Sequence, residues 1–395
     1  MIFVTGGTGY LGGYVVSRLL EKHGERVVLL VRAKDRSEAV GKLWSGLQLH
    51  MDAARFEKVL PLVSFVRGDL TAPGLGIEKE ARRKLANEAT SVLHIAASLN
   101  RKSEKACLNA NLRGTLSVIQ LAKDIAEGRG GLARFSHVST VAVCGKRDRE
   151  VVLEDDGIDW ERSDYDPYGR TKKFAEHMVR ELLPDVTKTF FRPSIVMGDS
   201  RFPETTQFDM VRAFCILSDF PALPMRADGR LDIVNADYVG RAIADVHLKS
   251  RPAHEIYHLS SGRQSKTAAE IGQALLSRYP DRRPPRFVPQ AETPFARVVD
   301  RMASMTARKG MRGQMALVGS LLKVFLPYIT FDTVFDNERI VTELGETPVP
   351  FVEYCGALYE WAKKGNFTYP YRTLDAATLA RLASVGDARG ESTWA

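Results

Sequence analysis

A tyrosine and a lysine four residues apart, Tyr168 and Lys172, fall on one face of a predicted helix. A phenol at its ordinary pKa of about 10 is a poor proton donor near neutrality. An ammonium within about 5 Å favours the phenolate. Lowering that pKa by about 3 units takes roughly 4 kcal/mol of differential interaction. A pair so arranged can protonate a carbonyl oxygen while hydride arrives at its carbon. Thr140, closing a predicted strand, would hydrogen-bond the same oxygen, with Ser139 as second choice. Asn111 would support a water or backbone arrangement behind Lys172. Helices carry Tyr-x-x-x-Lys pairs often, so this one gains meaning only from the elements that precede it.

The first of these is residues 1–12. Ile2 to Val4 reads as a buried strand, Gly6, Gly9 and Gly12 follow at spacings of three, and Val15, Val16, Leu19 and Leu20 then repeat with helical period. Strand, glycine turn and helix form the context a dinucleotide fingerprint requires. The glycines let backbone approach a pyrophosphate, whose charge sits at the free N–H groups of the helix. Thr5, Tyr10 and Leu11 belong to the same turn. A second apolar strand, residues 26–32, ends in Arg32, with Lys34 and Arg36 beyond. An acid is usual there when the ribose 2′-hydroxyl is free. Cations suit a 2′-phosphate, so NADP(H) is expected. Asp69 and Leu70, closing a third strand, would face the adenine. Ala96 and Ala97, after a fourth, let a flat cofactor lie against backbone. His94 inside that strand reads as a packed core residue. Lys172 would also hold the nicotinamide ribose.

Strands 134–138 and 187–192 continue the alternation, which predicts a Rossmann-type, doubly wound parallel α/β sheet with ligands at the carboxyl ends of its strands. Residues 36–60 read as one helix and 150–166 as an acidic loop over the site. Asp237 is the expected cap of a helix after a return strand near 231, and 254–259 is another short strand. Regular alternation stops at Lys266. The expected division is therefore a cofactor domain over 1–265, with a substrate-side insert at about 200–232, and a mostly helical C-terminal substrate or lid region over 266–395. The apolar run 315–329 reads as a core or dimer helix, a lid for a greasy substrate, or an interfacial segment in peripheral contact with a membrane. Residues 375–395 read as frayed.

The chain has 395 residues and a net charge of +8. That balance favours phosphorylated ligands, acidic carriers or anionic lipid. No zinc-finger, helix-turn-helix or aromatic–basic motif accompanies it, so nucleic acid is not an expected partner. Cys107, Cys144, Cys215 and Cys355 have no paired spacing, which argues against disulfides or a metal site and fits a reducing cytoplasm. No run reaches about 18 apolar residues, so no spanning helix is expected. With a strand beginning at residue 2, no leader segment is expected either.

These motifs together resemble an extended short-chain dehydrogenase/reductase. They are Thr5-Gly-Gly-Thr-Gly-Tyr-Leu-Gly12, Gly68-Asp69-Leu70, His94-Ile-Ala-Ala97, Asn111-Leu-Arg-Gly-Thr115, Val138-Ser-Thr140 and Tyr168-Gly-Arg-Thr-Lys172. The stretches after Leu29 and from Arg192 to Ser200 are similar to the thioester reductase and fatty acyl-CoA reductase branch. The resemblance covers roughly residues 1–262. It implies catalytic roles for Thr140, Tyr168 and Lys172, and places Arg192, Pro193, Ser194 and Val196 beside the cofactor. It further implies homodimerisation through the helices near 111–126 and 168–183. The expected activity is NADPH-dependent reduction of an acyl thioester, bound to CoA or an acyl carrier protein, to aldehyde or alcohol. Alternatives are a ketone, a hydroxysteroid-like alcohol or a nucleotide sugar as substrate, or a cofactor-sensing module that turns nothing over.

Overall fold

A computed structural model describes residues 1–155, 158–304, 311–330 and 332–387. Seven strands make the central sheet: β1 (Ile2–Thr5), β2 (Val27–Val31), β3 (Val63–Arg67), β4 (Ser91–His94), β5 (Arg134–Val138), β6 (Lys188–Pro193) and β7 (Ile256–Leu259). Their spatial order is β7-β6-β5-β4-β1-β2-β3, and every neighbouring pair is parallel. The strand order reverses between β1 and β4, and a crevice opens at the carboxyl ends of strands at such a point.

Strand composition follows from burial on both faces. On β1, Ile2 and Val4 face one apolar layer and Phe3 the other; on β2, Val27 and Leu29 face the first and Val28 the second. The first layer is completed by α1 (Tyr10–Glu21), α2 (Arg36–Leu47) and, beyond β6, the helix Ala236–Leu248. The second layer is covered by Lys79–Glu88, α3 (Gly114–Glu127) and α4 (Pro167–Leu182). Each fully buried Leu, Val or Phe in these layers contributes about 1.5–3 kcal/mol. Helix Ala236–Leu248 approaches α1 so closely that a Cβ on Gly240 would lie 2.4 Å from the Cβ of Tyr14.

Residues 36–60 are two helices instead of the single one expected. The chain leaves α2 at Gln48, and Asp52 starts Ala53–Val59 by accepting from the Arg55 N–H at 2.8 Å. Asp237 is not a cap either. Asn235 is the residue before that helix, and the Asp237 carboxylate accepts from the backbone N–H and hydroxyl of Ser200, at 3.0 and 2.7 Å. Residues 150–166 are not purely loop, since Val151–Val152 pairs with Val334–Phe335.

A separate apolar cluster joins α5 (Asp209–Ser218) to α6 (Ala268–Arg278) and to the helix Phe351–Lys364. Next to it, α7 (Glu292–Ser304) and α8 (Met311–Thr330) pack on each other, and Leu322 and Leu326 of α8 pack against Leu217 and Leu223. Residues 376–387, expected to be frayed, form helix α9 (Ala376–Asp387), whose Leu379 and Leu382 join the first layer. Residues 388–395 lie outside the described residues. Just before α9, the Arg372 carbonyl accepts from the Trp44 indole at 2.7 Å and its N–H donates to Gln48 at 2.7 Å. No helix among the described residues is long and apolar enough to cross a membrane, and none of their His, Cys, Asp or Glu side chains cluster as a metal site.

Candidate active site

At the β1–β4 reversal a cleft of about 920 Å³ runs from the glycine turn to the start of α4. Two glycines are required by space. Gly6 has φ of +77°, and a Cβ there would lie 2.6 Å from the Ala96 nitrogen; a Cβ on Gly12 would lie 2.0 Å from the Gly6 carbonyl oxygen. A turn this tight brings backbone against the cleft and points the first N–H groups of α1 along it. That cradle fits a pyrophosphate.

Fifteen of the expected site residues line this cleft: Gly6, Gly9, Tyr10, Leu11, Gly12, Arg32, Asp69, Leu70, Ala96, Ala97, Thr140, Tyr168, Pro193, Ser194 and Val196. Asp69 accepts from the N–H and hydroxyl of Thr71, each at 2.8 Å, and Arg32 stands 3.9 Å away. Burial pushes the Asp69 carboxyl up, but Thr71 and Arg32 outweigh it and hold the group below its ordinary range. The Arg32 side chain is largely solvent-exposed.

Five expected residues do not line the cleft, for separable reasons. Thr5 is buried beneath the turn, where its hydroxyl meets His94 Nδ1 at 2.6 Å and accepts from Ala96 N–H at 3.2 Å. Lys34 points to solvent beside Asp35 and does not line the cleft. Lys42, which was not expected, lines the cleft, donates to the Arg32 carbonyl and pairs with Glu38 at 2.7 Å. Arg192, expected beside the cofactor, does not line the cleft either. It is fully buried on Glu176, Nη2 to Oε1 at 2.5 Å. Burial alone would push Glu176 up; Arg192 and the Ser139 hydroxyl, at 2.8 Å, reverse this. Ser139 spends its hydroxyl on that pair, whereas Thr140 lines the cleft beside Tyr168.

Asn111 lies in a π-helical stretch, Leu108–Arg113, that continues into α3. Its side chain accepts from Ser98 N–H at 2.7 Å and donates to the Ser98 carbonyl and the Thr171 hydroxyl, each at 3.1 Å. It therefore ties the loop after β4 to α4, one residue before Lys172. The Lys172 ammonium donates to the Val138 carbonyl and to His137 Nε2, the latter at 3.1 Å. Burial lowers its pKa to about 7. His94 is the packed core residue expected: it bonds Thr5 and Thr115, and burial, with help from Lys172, lowers its pKa to about 3.

The environment of Tyr168 differs from the expected one. Burial raises its phenol above the ordinary value, and the strongest opposing influence is the guanidinium of Arg101, followed by a hydrogen bond with Thr140. The Arg101 carbon stands 4.5 Å from the Tyr168 ring centroid. Arg101, Tyr165 and Tyr328 all line the cleft, and none carried a motif. Lys42 had one detectable signal, its place one helical turn after Glu38 on a helix that starts where the basic strand end finishes. The others meet only through tertiary contact.

Residues 4–243 match an NAD-binding family described as male sterility protein. The chain belongs to the male sterility protein family. As in the rest of that family, the matched span is an extended short-chain dehydrogenase/reductase and holds a nicotinamide cofactor. Among curated proteins, the chain is 28 % identical over 243 residues to the fatty acyl-CoA reductase wat of Drosophila melanogaster, covering 54 % of this chain and 46 % of that one. It is 26 % identical over 272 residues to the glycine betaine reductase of Emericella nidulans, 65 % of this chain and 21 % of that one. The chain spans about half the length of the Drosophila melanogaster relatives it matches. Among solved structures, the terminal R domain of the myxalamid PKS-NRPS pathway superposes with a TM-score of 0.76 over 94 % of this chain and 92 % of that one, at 24 % identity. This last likeness shows a shared fold.

Proposed function

We propose that this chain is an NADPH-dependent reductase of acyl thioesters, carried on CoA or a carrier protein. The observation that supports it most is one continuous cleft running from a pyrophosphate cradle to the paired hydroxyls of Thr140 and Tyr168, in a chain whose curated relatives include a fatty acyl-CoA reductase. Arg32 and Lys42 hold the 2′-phosphate of the adenine ribose, and Asp69 meets the adenine. The first N–H groups of α1 receive the pyrophosphate, while Ala96 and Ala97 admit the nicotinamide half. When bound, NADPH supplies hydride. Thr140 orients the carbonyl oxygen and Tyr168 gives it a proton, a role that contributes ~10²–10⁴-fold in typical general acid catalysis. Lys172 turns from Val138 to the ribose, and Asn111 fixes the helix that carries it.

The lobe beyond about residue 265, with the segment 200–232, encloses the acyl group. Leu322 and Leu326 of α8 face inward, so we read α8 as a wall of that lobe instead of a membrane contact. Exposed Leu116 on α3 and Phe174 on α4 support a homodimer through those helices. Four buried free thiols, Cys107, Cys144, Cys215 and Cys355, suit a reducing cytoplasm. The test is loss of NADPH absorbance with purified protein and acyl-CoA of graded length. Consumption with at least one thioester, releasing free thiol, is expected. No consumption with any of them removes the reading.

A further inference from the structure

Arg101 sits on the loop between β4 and the helix Glu104–Cys107. Its guanidinium lies between two aromatic rings, 4.5 Å from the Tyr168 centroid and 4.6 Å from that of Tyr328. Nη1 donates to Asp166 Oδ2 at 3.1 Å and to the Tyr328 hydroxyl at 2.5 Å. That hydroxyl donates in turn to the same Asp166 oxygen at 2.8 Å. The other oxygen of Asp166 caps α4, accepting from Gly169 N–H at 2.8 Å. The Tyr328 ring stacks on Tyr165 with centroids 4.7 Å apart and planes 18° apart. Loop, catalytic helix and the last turn of α8 thus close on one cation.

We propose that Arg101 is the positioning residue of the reaction, holding the Tyr168 ring by its face and drawing off the phenolic proton, with Asp166 and Tyr328 keeping the guanidinium in place. The inference rests on the reductase reading above and deepens it. A guanidinium keeps its charge at any working pH and stacks flat on an aromatic face. Lys172 is less suited to the task, because burial lowers its pKa to about 7, so its charge, unlike that of Arg101, is not fixed at neutrality. The groups that bear on the phenol come from several elements. Arg101 on the β4 loop and Thr140 after β5 favour its ionisation; Asp166 at the head of α4 and Cys107 oppose it. Tyr328 of α8 faces the same cation.

The proton balance gives Arg101 its role. As hydride from the bound cofactor would form the new C–H bond, the carbonyl π pair would move to oxygen and oxygen would take the phenolic proton, giving a hemithioacetal whose collapse breaks the C–S bond and releases thiol and aldehyde. Tyr168 is left as phenolate beneath a fixed positive charge, which opposes reversal until solvent returns a proton.

The test compares wild type, Arg101→Met, Arg101→Lys and Tyr328→Phe by kcat against pH, with NADPH and decanoyl-CoA, alongside NADPH affinity by fluorescence. Arg101→Met should lower kcat at neutral pH by ~10-fold or more with NADPH affinity little changed. It should also move the alkaline limb of kcat upward by about one pH unit, because the donor form then persists to higher pH. Arg101→Lys should restore part of the rate, and Tyr328→Phe should shift the limb the same way by less. An unmoved limb in Arg101→Met, or a loss confined to KM, overturns the proposal. A wild type inactive on every thioester defeats the reductase reading instead. In that event, ¹³Cζ-tyrosine resonances of the NADPH-bound protein, with Tyr168 assigned by Tyr168→Phe, still decide this inference: the phenol must titrate higher in Arg101→Met, and an unchanged midpoint overturns it.

Discussion

Tyr168 and Lys172 illustrate how a residue's chemistry depends on its burial as much as on its neighbours. Tyr168→Phe removes the donor but keeps the ring over which Arg101 lies. It should cut kcat by ~10²-fold or more while leaving NADPH affinity nearly intact, measured by steady-state rates and cofactor titration. Lys172 makes a prediction about stability. Its ordinary pKa of 10.5 falls to about 7 in the fold, so between these values the unfolded chain holds more protons than the folded one. Folding stability contributed by this group therefore rises with pH across that window and is flat outside it. The stabilising effect of Lys172→Met should be full at pH 7 and shrink toward pH 10.5 in thermal melts of the ligand-free protein. An equal gain at both ends would refute it. At the phosphate end, Arg32→Ala with Lys42→Ala should weaken NADPH by ~10-fold or more and NADH far less, since charge-assisted bonds to phosphate are lost only for the former. The glycines, Asp69, Thr140 and Tyr168 were legible because a linear spacing encodes them. Arg101, Tyr165 and Tyr328 were not, because residues 101, 165 and 328 share no local pattern.

Among the elements, β1 and β2 announce themselves because both faces are buried, which favours unbroken apolar runs, whereas β5 buries Arg134, Ser136 and His137 as well and shows through its place in the alternation. Boundaries between helices were harder to read. The apolar period of residues 36–60 passes through Gln48–Asp52 without a proline, so sequence alone shows one helix where Asp52 begins a second. Asp237 has the right composition for a cap, yet a long-range partner, Ser200, claims its carboxylate. The helix Ala236–Leu248 also supplies a test of close packing. Gly240→Ala places a methyl 2.4 Å from the Tyr14 Cβ, inside any tolerable contact. Displacing α1 should cost about 1–3 kcal/mol, read from the denaturant midpoint at unchanged slope. Because α1 opens the pyrophosphate cradle, cofactor affinity should fall with it.

Across the whole molecule, the chain anchors residues 372–382 on its early helices. After building the distal lobe it returns to the first layer, where Arg372 holds Trp44 and Gln48, Leu382 is buried and Arg381 pairs with Glu57. The frayed reading failed for residues 376–387 because their anchors lie more than 300 residues away in sequence. A chain ending at residue 370 should lose about 1.5–3 kcal/mol from the buried Leu382, with smaller contributions from the partly buried Leu374 and Leu379, while its lobe helices stay folded by circular dichroism. The tail clamps the same helix that carries Lys42. Loading of the nucleotide should consequently be audible at the far terminus: Trp44 emission becomes a built-in reporter, and proteases that clip the tail in the ligand-free chain should be slowed once NADPH is present.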